Sequence, residues 1–390
     1  MPAQPHPWGA PPWTVDFRPS SRRAIPKSVD FVVVGGGFSG LSAAAWLRKL
    51  APAKSVLLLE HGALGDGASG RTGGMALAET AAGNLTGLGD VLRSYKRILR
   101  ALKIDAELAL PGVWELGRKA SIHNSPIHWS DSGDLRAVKR VPGGTVNPGK
   151  VVSGLARAAQ SAGAQIIEHA EVLALELAPR QRSGNRRGDQ RDVLLKLRIR
   201  QRGKSVTKII RAARVLLATN AQSLALAGLA SATHPKLTMA IATAPLTRAQ
   251  IHALGLASRK PFYTVDLPYL WGRLQKNNAV IFGAGLVDPP SGHNLHKIDV
   301  RTGAAAERLA WLEARVRQLH PALHNVRIAH RWGGPILLTA GAKPVFRQHP
   351  RFPQVTLLAG FNGHGVALSV HLGHWAAQAL LGRRPLPRWS

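Results

Sequence analysis

The sequence predicts an α/β fold that opens with a parallel βαβ unit, and three neighbouring features carry that prediction. Phe31-Val32-Val33-Val34 is a short β-branched run of buried-strand type, closed by the glycine-rich turn Gly35-Gly36-Gly37-Phe38-Ser39-Gly40. Leu41 to Leu50 follows with helical composition and ends in Arg48 and Lys49, which suit the negative C-terminal end of a helix dipole. Ser55 to Leu59 is a second buried-type strand, ending at Glu60. Strand, tight turn, helix and strand make one crossover unit of right-handed sense.

Composition agrees with a globular chain. Of 390 residues, 45% are hydrophobic and 19% charged, enough apolar material for a large core and too much for global disorder. No apolar run approaches the ~20 residues of a membrane-spanning helix. The chain has 0 cysteines, which excludes disulfides, thiolate zinc, iron–sulfur clusters and a cysteine nucleophile. Fifty-two Lys and Arg stand against 21 Asp and Glu, a net charge of +31. Such a balance attracts polyanions, but charge reports on solubility and association before it reports on a specific partner, so a generally basic surface is the preferred reading over nucleic-acid or anionic-lipid binding. The densest stretch, Arg180 to Arg214, includes the polar loop Arg180 to Asp189. No aromatics interleave there for base stacking, so it reads as a solvated turn.

Residues 1–27 form a proline-rich arm with Trp8 and Trp13, extended in conformation and ordered only where it lies on the body. Ser21-Arg22-Arg23-Ala24-Ile25-Pro26-Lys27 resembles a twin-arginine export signal. Cleavage beyond it would remove the best-defined motif in the chain, so a cytoplasmic location is expected. After the βαβ unit, Asn84 to Leu110 carries apolar residues at helical spacing and Val113 to Val141 reads as strands. Val151 to Ala162 reads as helix, and Gln165 to Leu177, Val193 to Arg200 and Val215 to Ala218 as strands. Tyr269 to Leu274 and Ala279 to Phe282 form a hairpin around Lys276-Asn277-Asn278. Ala304 to Leu319 and Val366 to Leu381 close the chain as helices.

The pattern Gly35-x-Gly37-x-x-Gly40 sits between a strand and a helix, with the acid Glu60 (His61 beside it) at the end of the next strand. That context makes it a dinucleotide-binding fingerprint. Gly35 permits the turn, Gly37 admits the pyrophosphate, Gly40 allows close packing, and the helix N-terminus at Phe38 and Ser39 offers unpaired N–H groups. Glu60 is placed to accept from ribose hydroxyls. Two further small-residue segments favour a flavin over a nicotinamide dinucleotide. Ala68-Ser69-Gly70-Arg71-Thr72-Gly73-Gly74-Met75 lets backbone lie against a flat ring, with Ser69 and Arg71 as phosphate partners. Gly360-Phe361-Asn362-Gly363-His364-Gly365 opens the last helix, whose positive end suits the charge of a reduced ring.

With these motifs in hand, the chain resembles the FAD-dependent D-amino-acid oxidase superfamily, in the branch of glycine, sarcosine and gamma-glutamylputrescine oxidases. The resemblance rests on Val33 to Leu41, Gly67 to Gly74, Leu217-Ala218-Thr219-Asn220-Ala221, Ile281 to Gly285, Arg331-Trp332-Gly333-Gly334 and Gly363-His364-Gly365. It implies a Rossmann-type FAD-binding domain of glutathione-reductase-like form (28–110, 145–236 and 329–390) with an inserted α+β antiparallel-sheet substrate domain (111–144 and 237–328). It places the adenine contact on Val172, puts Ala218, Thr219, Asn220 and Gly334 near the cofactor, and sets Asn362, Gly363, His364, Gly365 and Val366 at the flavin's pyrimidine edge. FAD is expected to be bound non-covalently, since a cysteine link cannot form. Where the family carries a carboxylate-clamping arginine, this chain has Ile336, and a later Asp-x-x-Pro turn appears as Gly341-Ala342-Lys343-Pro344.

The activity implied is oxidation of a C–N bond of a small-molecule amine or amino-acid derivative, with oxygen or a quinone as acceptor. A tRNA-modifying FAD oxidase and a non-catalytic flavoprotein are the alternatives. The chemistry moves a hydride to flavin N5 from the carbon beside a neutral nitrogen, so positioning matters more than acid–base residues. Strand alternation places Tyr269, Trp271 and Arg273 on one face as substrate-side candidates, with Tyr263 a weaker one. His364 is a candidate beside the flavin or a backbone element of its turn. The pairs His293/His296 and His320/His324 lack a third ligand, so no metal is expected.

Overall fold

The computed structural model describes residues 6–20, 24–119, 121–179, 191–201 and 204–389. The Ser21-Arg22-Arg23 motif and the Arg180 to Asp189 loop lie outside the described residues. The opening unit is β1 (Ser28–Val34), α1 (Phe38–Leu50) and β2 (Val56–Leu59), as the sequence predicts. β1 and β2 pair in parallel, Val34 level with Leu59, and β1 pairs in parallel with Lys204–Leu217, Val34 level with Leu217. The full sheet runs Val345–Gln348, Val355–Ala359, Lys204–Leu217, β1, β2, Gln165–Ile167, with Ala170–Leu177 and Val193–Gln201 branching from Lys204–Leu217 as an antiparallel meander.

Alternation divides β1 between two cores. Phe31 and Val33 pack with α1, with Pro148–Ser161 and with the last helix, Gly365–Leu380. Val32 and Val34 face the cluster that contains Val193, Leu195 and Leu197 of the meander. Helix Pro148–Ser161 begins three residues before its apolar spacing does, because Asn147 accepts from the Lys150 N–H at 3.2 Å and Pro148 tolerates the first turn.

The second sheet has the order Ile328–Thr339, Thr233–Thr243, Val280–Val287, Trp271–Leu274, Phe262–Thr264, Val113–Gly117, Asp134–Val141, His128–Ser130. Its one parallel pair among the described residues is Phe262–Thr264 with Val113–Gly117. Helix Gly303–Gln318 buries Leu309, Leu312 and Val316 in the same core as this sheet. The boundaries drawn from the sequence put 233–236 and 329–339 with the first domain. Both segments instead belong to this sheet, paired from Thr233 with Thr339 to Thr243 with Ile328. Pro235 and Gly333-Gly334-Pro335 disguise them as loops. Pro335 is tolerated because Ile328–Thr339 is an edge strand, and Pro235 because Val280–Val287 pairs only from Leu237 onward.

The predicted hairpin forms, but its first strand starts at Trp271, leaving Tyr269 in the preceding loop and 60% exposed. Described residues of the arm pack on the body: Trp8 is buried, and Gly9 forms an antiparallel bridge to Trp332 that covers the open side of the edge strand.

Candidate active site

A cavity of about 1400 Å³ opens between the C-terminal ends of the parallel strands and the second sheet. The parallel register creates it: with Val34, Leu59 and Leu217 level, the turns starting at Gly35, Glu60 and Ala218 all emerge at one edge. The volume exceeds the ~300–1,000 Å³ of an ordinary small-ligand pocket, as a dinucleotide plus a substrate requires.

The fingerprint glycines have separable duties. Gly35 adopts φ +112°, and a Cβ there would lie 2.5 Å from the Ala218 carbonyl oxygen. Gly40 does not line the cavity. A Cβ on it would collide with the Gly35 carbonyl oxygen, so it sets the close seating of α1 on the turn. At Gly37, which lines the cavity, a side chain would enter the gap toward Ser69. α1 starts without a side-chain cap of its own: Ser69 Oγ accepts from the Phe38 N–H at 2.9 Å, leaving the other first-turn donors for a ligand.

Glu60 accepts from the Gly36 N–H at 2.6 Å and the Gly62 N–H at 2.8 Å. Removal from water outweighs these bonds and holds its pKa up to about 7. The ligand-free fold therefore keeps a proton on Glu60 between about pH 4.5 and 7 that the unfolded chain releases. This contribution to stability, up to about 3 kcal/mol, is present below pH 4.5 and is lost as pH rises through 7. Apoprotein melting temperature should fall from pH 5 to pH 8, and Glu60→Gln should flatten that slope. Because ribose hydroxyls donate to the carboxylate, FAD should bind more tightly over the same rise in the native protein and not in Glu60→Gln.

Arg71 has a second role that the sequence did not show. Its Nε donates to the Asp66 carbonyl at 2.9 Å and its Nη1 to the Gly9 carbonyl at 2.8 Å, while the guanidinium lies over Trp8 at 5.5 Å. The side chain thus anchors the arm with Nε and Nη1 while still lining the cavity. Gly74 is absent from the cavity wall: its φ of +76° carries the chain past the Val146 carbonyl. Ala68, Thr72, Gly73 and Met75 do line the cavity.

Among the substrate-side candidates, Trp271 and Tyr269 line the cavity and Arg273 does not. The Trp271 ring lies against Gly73 and Gly283, where any Cβ would overlap it. Arg273 is buried, its Nε donating to the Gly73 carbonyl and its guanidinium 5.7 Å from the Trp13 ring. Trp271 and Arg273 both meet the Gly73 segment, as strand alternation on one face requires, but only Trp271 lines the cavity. Tyr263 also lines the cavity and donates to Glu115 Oε1 at 2.7 Å; burial first, then this bond, raises its pKa. The cavity also contains Ile336, whose side chain reaches the Gly363 turn.

At the turn, Gly363, Gly365 and Val366 line the cavity. Asn362 spends its side chain structurally, accepting from the Thr339 N–H at 2.8 Å and donating to the Gly360 carbonyl at 2.8 Å. Asn220 similarly accepts from the Gly360 N–H at 3.0 Å, which joins the turn to the Ala218-Thr219-Asn220 strand end. His364 Nδ1 is 3.3 Å from the Asn362 carbonyl, so it carries the proton and leaves Nε2 with its lone pair. Burial lowers the His364 pKa. Val172 lines the cavity from Ala170–Leu177, which pairs with one neighbour only among the described residues and so keeps a free backbone edge.

The fit to FAD has a further sign that sequence reasoning missed. Ser369 Oγ, one turn into the last helix, is buried at the cavity wall without a protein partner. A buried orphan hydroxyl is costly, and a polar ligand satisfies it. Nothing in the sequence marks Ser369, since its exposure to the cavity depends on how the helix packs. No group of three or more His, Cys, Asp or Glu among the described residues could hold a metal ion, and no helix among them is long and apolar enough to cross a membrane.

Comparison with known proteins supplies the family. The family described as FAD dependent oxidoreductase (DAO) matches residues 30–379. The probable oxidoreductase OrdL of Rhizobium meliloti (strain 1021) is 26% identical over 406 residues, covering 94% of this chain and 85% of the relative. Gamma-glutamylputrescine oxidoreductase of Escherichia coli (strain K12) is 24% identical, covering 90% of this chain and 84% of the relative. The crystal structure of L-proline dehydrogenase from P. horikoshii shares the fold, with a TM-score of 0.70 at 19% identity, covering 93% of this chain and 96% of the other. With the dinucleotide fingerprint, the flavin-edge turn and the cavity between them now joined by a match across most of its length, the chain belongs to the DAO family of FAD-dependent oxidoreductases.

Proposed function

We propose that this oxidoreductase cleaves hydride from the carbon beside the nitrogen of an amine or amino-acid derivative whose recognition does not depend on a carboxylate clamp at the flavin edge. The observation that carries this reading is Ile336, an apolar side chain against the Gly363 turn where a guanidinium would grip a carboxylate. The E. coli relative is named for gamma-glutamylputrescine, an amine derivative, which supports the same substrate class here.

Bound FAD supplies the hydride acceptor. Gly35, Gly37, Glu60, Ser69 and the first turn of α1 are the residues to hold its dinucleotide portion, and the Gly363-His364-Gly365 turn its ring. Trp271, Ile336 and Leu338 keep the reacting region apolar, which favours the neutral amine over its ammonium form. His364, its pKa lowered by burial and its Nε2 free to accept, is the candidate to take the ammonium proton.

The test is anaerobic flavin reduction with a panel that pairs each amine with its α-carboxylated counterpart. The amines should react faster. Ile336→Arg should shift the preference toward the carboxylated partners by about tenfold or more, the worth of one charge-assisted bond. Failure of every amine to reduce the flavin contradicts the reading, and oxygen uptake by the same samples separates an oxidase from an enzyme that uses a quinone.

A further inference from the structure

We propose that the N-terminal arm is part of the cofactor site: His6 donates to a phosphate or ribose oxygen of FAD, and the strap Trp8–Gly9 locks the nucleoside end of the cavity shut. The inference rests on the family's cofactor and is independent of the amine reading.

His6 and Trp8 both line the cavity. Their position along it is marked by a chain of ring contacts. Trp8 stacks on His296 at 4.9 Å with 14° between planes, and His296 lies 6.3 Å from His61, the neighbour of the ribose acid Glu60. Trp8 is 1% exposed and its Nε1 donates to the Leu295 carbonyl at 3.1 Å. The strap is bonded to both walls. On one side, Arg71 Nη1 donates to the Gly9 carbonyl and Trp13 Nε1 to the Gly70 carbonyl at 2.7 Å. On the other, the Gly333 N–H donates to the Trp8 carbonyl at 2.8 Å and the Val300 N–H to the Pro7 carbonyl at 2.8 Å. Gly9 takes φ +69° against the Arg331 carbonyl, a place no larger residue fits.

His6 is the group with spare chemistry. Its Nδ1 accepts from the Trp8 N–H at 3.1 Å, which places the ring proton on Nε2. That N–H donates to no protein group among the described residues, and it belongs to a wall of the cavity whose ligand is rich in phosphate and hydroxyl oxygens. Burial, ahead of the nearby Arg71 charge, lowers the His6 pKa to about 4, so the ring stays a neutral donor in this tautomer across the physiological range.

Two variants test this: a chain lacking residues 1–13, and His6→Ala, which removes the bond from the Trp8 N–H but leaves the strap's bonds to Leu295, Arg71, Gly333 and Val300 in place. The readouts are the FAD dissociation constant and dissociation rate from flavin fluorescence, competition by ADP, and the melting of the apoprotein. Truncation should weaken FAD at least 100-fold and speed its release. His6→Ala should weaken FAD and ADP by the same factor, about five- to tenfold. Should the truncated chain not fold, His6→Ala decides alone. Unchanged FAD release from a folded truncated chain, or a His6→Ala effect on FAD that ADP does not share, overturns the proposal.

Discussion

Replacing Gly37 by valine is expected to give a folded, colourless protein with FAD affinity reduced at least 100-fold. Gly37 lies at φ −89°, ψ −174°, extended backbone that any residue adopts, so the substitution stores no backbone strain. Its Cβ would meet the Ser69 side chain at 2.8 Å, and that hydroxyl can rotate aside. The branched side chain would then occupy the gap before the first turn of α1, where the pyrophosphate must approach bare backbone. Losing two or more charge-assisted N–H bonds, each worth about 1.5–3 kcal/mol, accounts for the expected factor. Gly40→Ala makes the contrast. Its Cβ runs into the backbone of Gly35, which cannot rotate away, so that variant should lose stability by about 1–3 kcal/mol or more. FAD titration and apoprotein melting, done on both, separate a blocked site from a damaged fold.

Asp131→Ala should cost about 3–5 kcal/mol, the largest stability loss expected from a single site here. Asp131 is buried and accepts from Arg315 Nε at 3.0 Å, from Arg315 Nη2 at 2.6 Å and from Arg118 Nη2 at 2.6 Å. Arg118 also pairs with Asp266, and Arg315 donates to the Pro268 and Tyr269 carbonyls, both at 2.8 Å. One carboxylate therefore keeps two nearly buried guanidinium groups compensated, and those two hold the loop that carries Tyr269 to the cavity mouth. Removing it strands Arg315, leaves Arg118 with Asp266 alone and loosens the loop. Urea unfolding should show the loss. In an enzyme that still folds, substrate KM should rise while the rate of flavin reduction at saturation changes less, because Tyr269 lines the cavity yet is largely exposed.

The parts of this protein that could be read in its sequence are those whose meaning is local. Strand, glycine turn, helix and acid fall within about thirty residues in β1, α1 and β2, so periodicity and spacing identify them. The Gly363 turn is readable for the same reason: glycines at the start of an apolar helix. What sequence could not show is where a long side chain ends up. Arg71 and Arg273 have the composition of ligand-binding residues, and tertiary packing assigns one to the arm's carbonyls and the other to the Gly73 carbonyl. Thr233–Thr243 and Ile328–Thr339 carry proline and glycine that argue locally against strand, and pairing in a larger sheet overrides that preference. Trp8, His6 and Ser369 join the cavity only through contacts with segments hundreds of residues away in the chain or through helix packing, and no local pattern records that.

One FAD is expected to lie along this cavity, from Glu60 to the Gly363 turn. Reconstitution of the apoprotein, followed by flavin fluorescence and visible absorbance, tests it most directly. Saturation at one FAD per chain, competition by ADP, and loss of both in Gly37→Val are the expected results. Absence of saturable binding in the native protein, or binding that Gly37→Val leaves untouched, would contradict them.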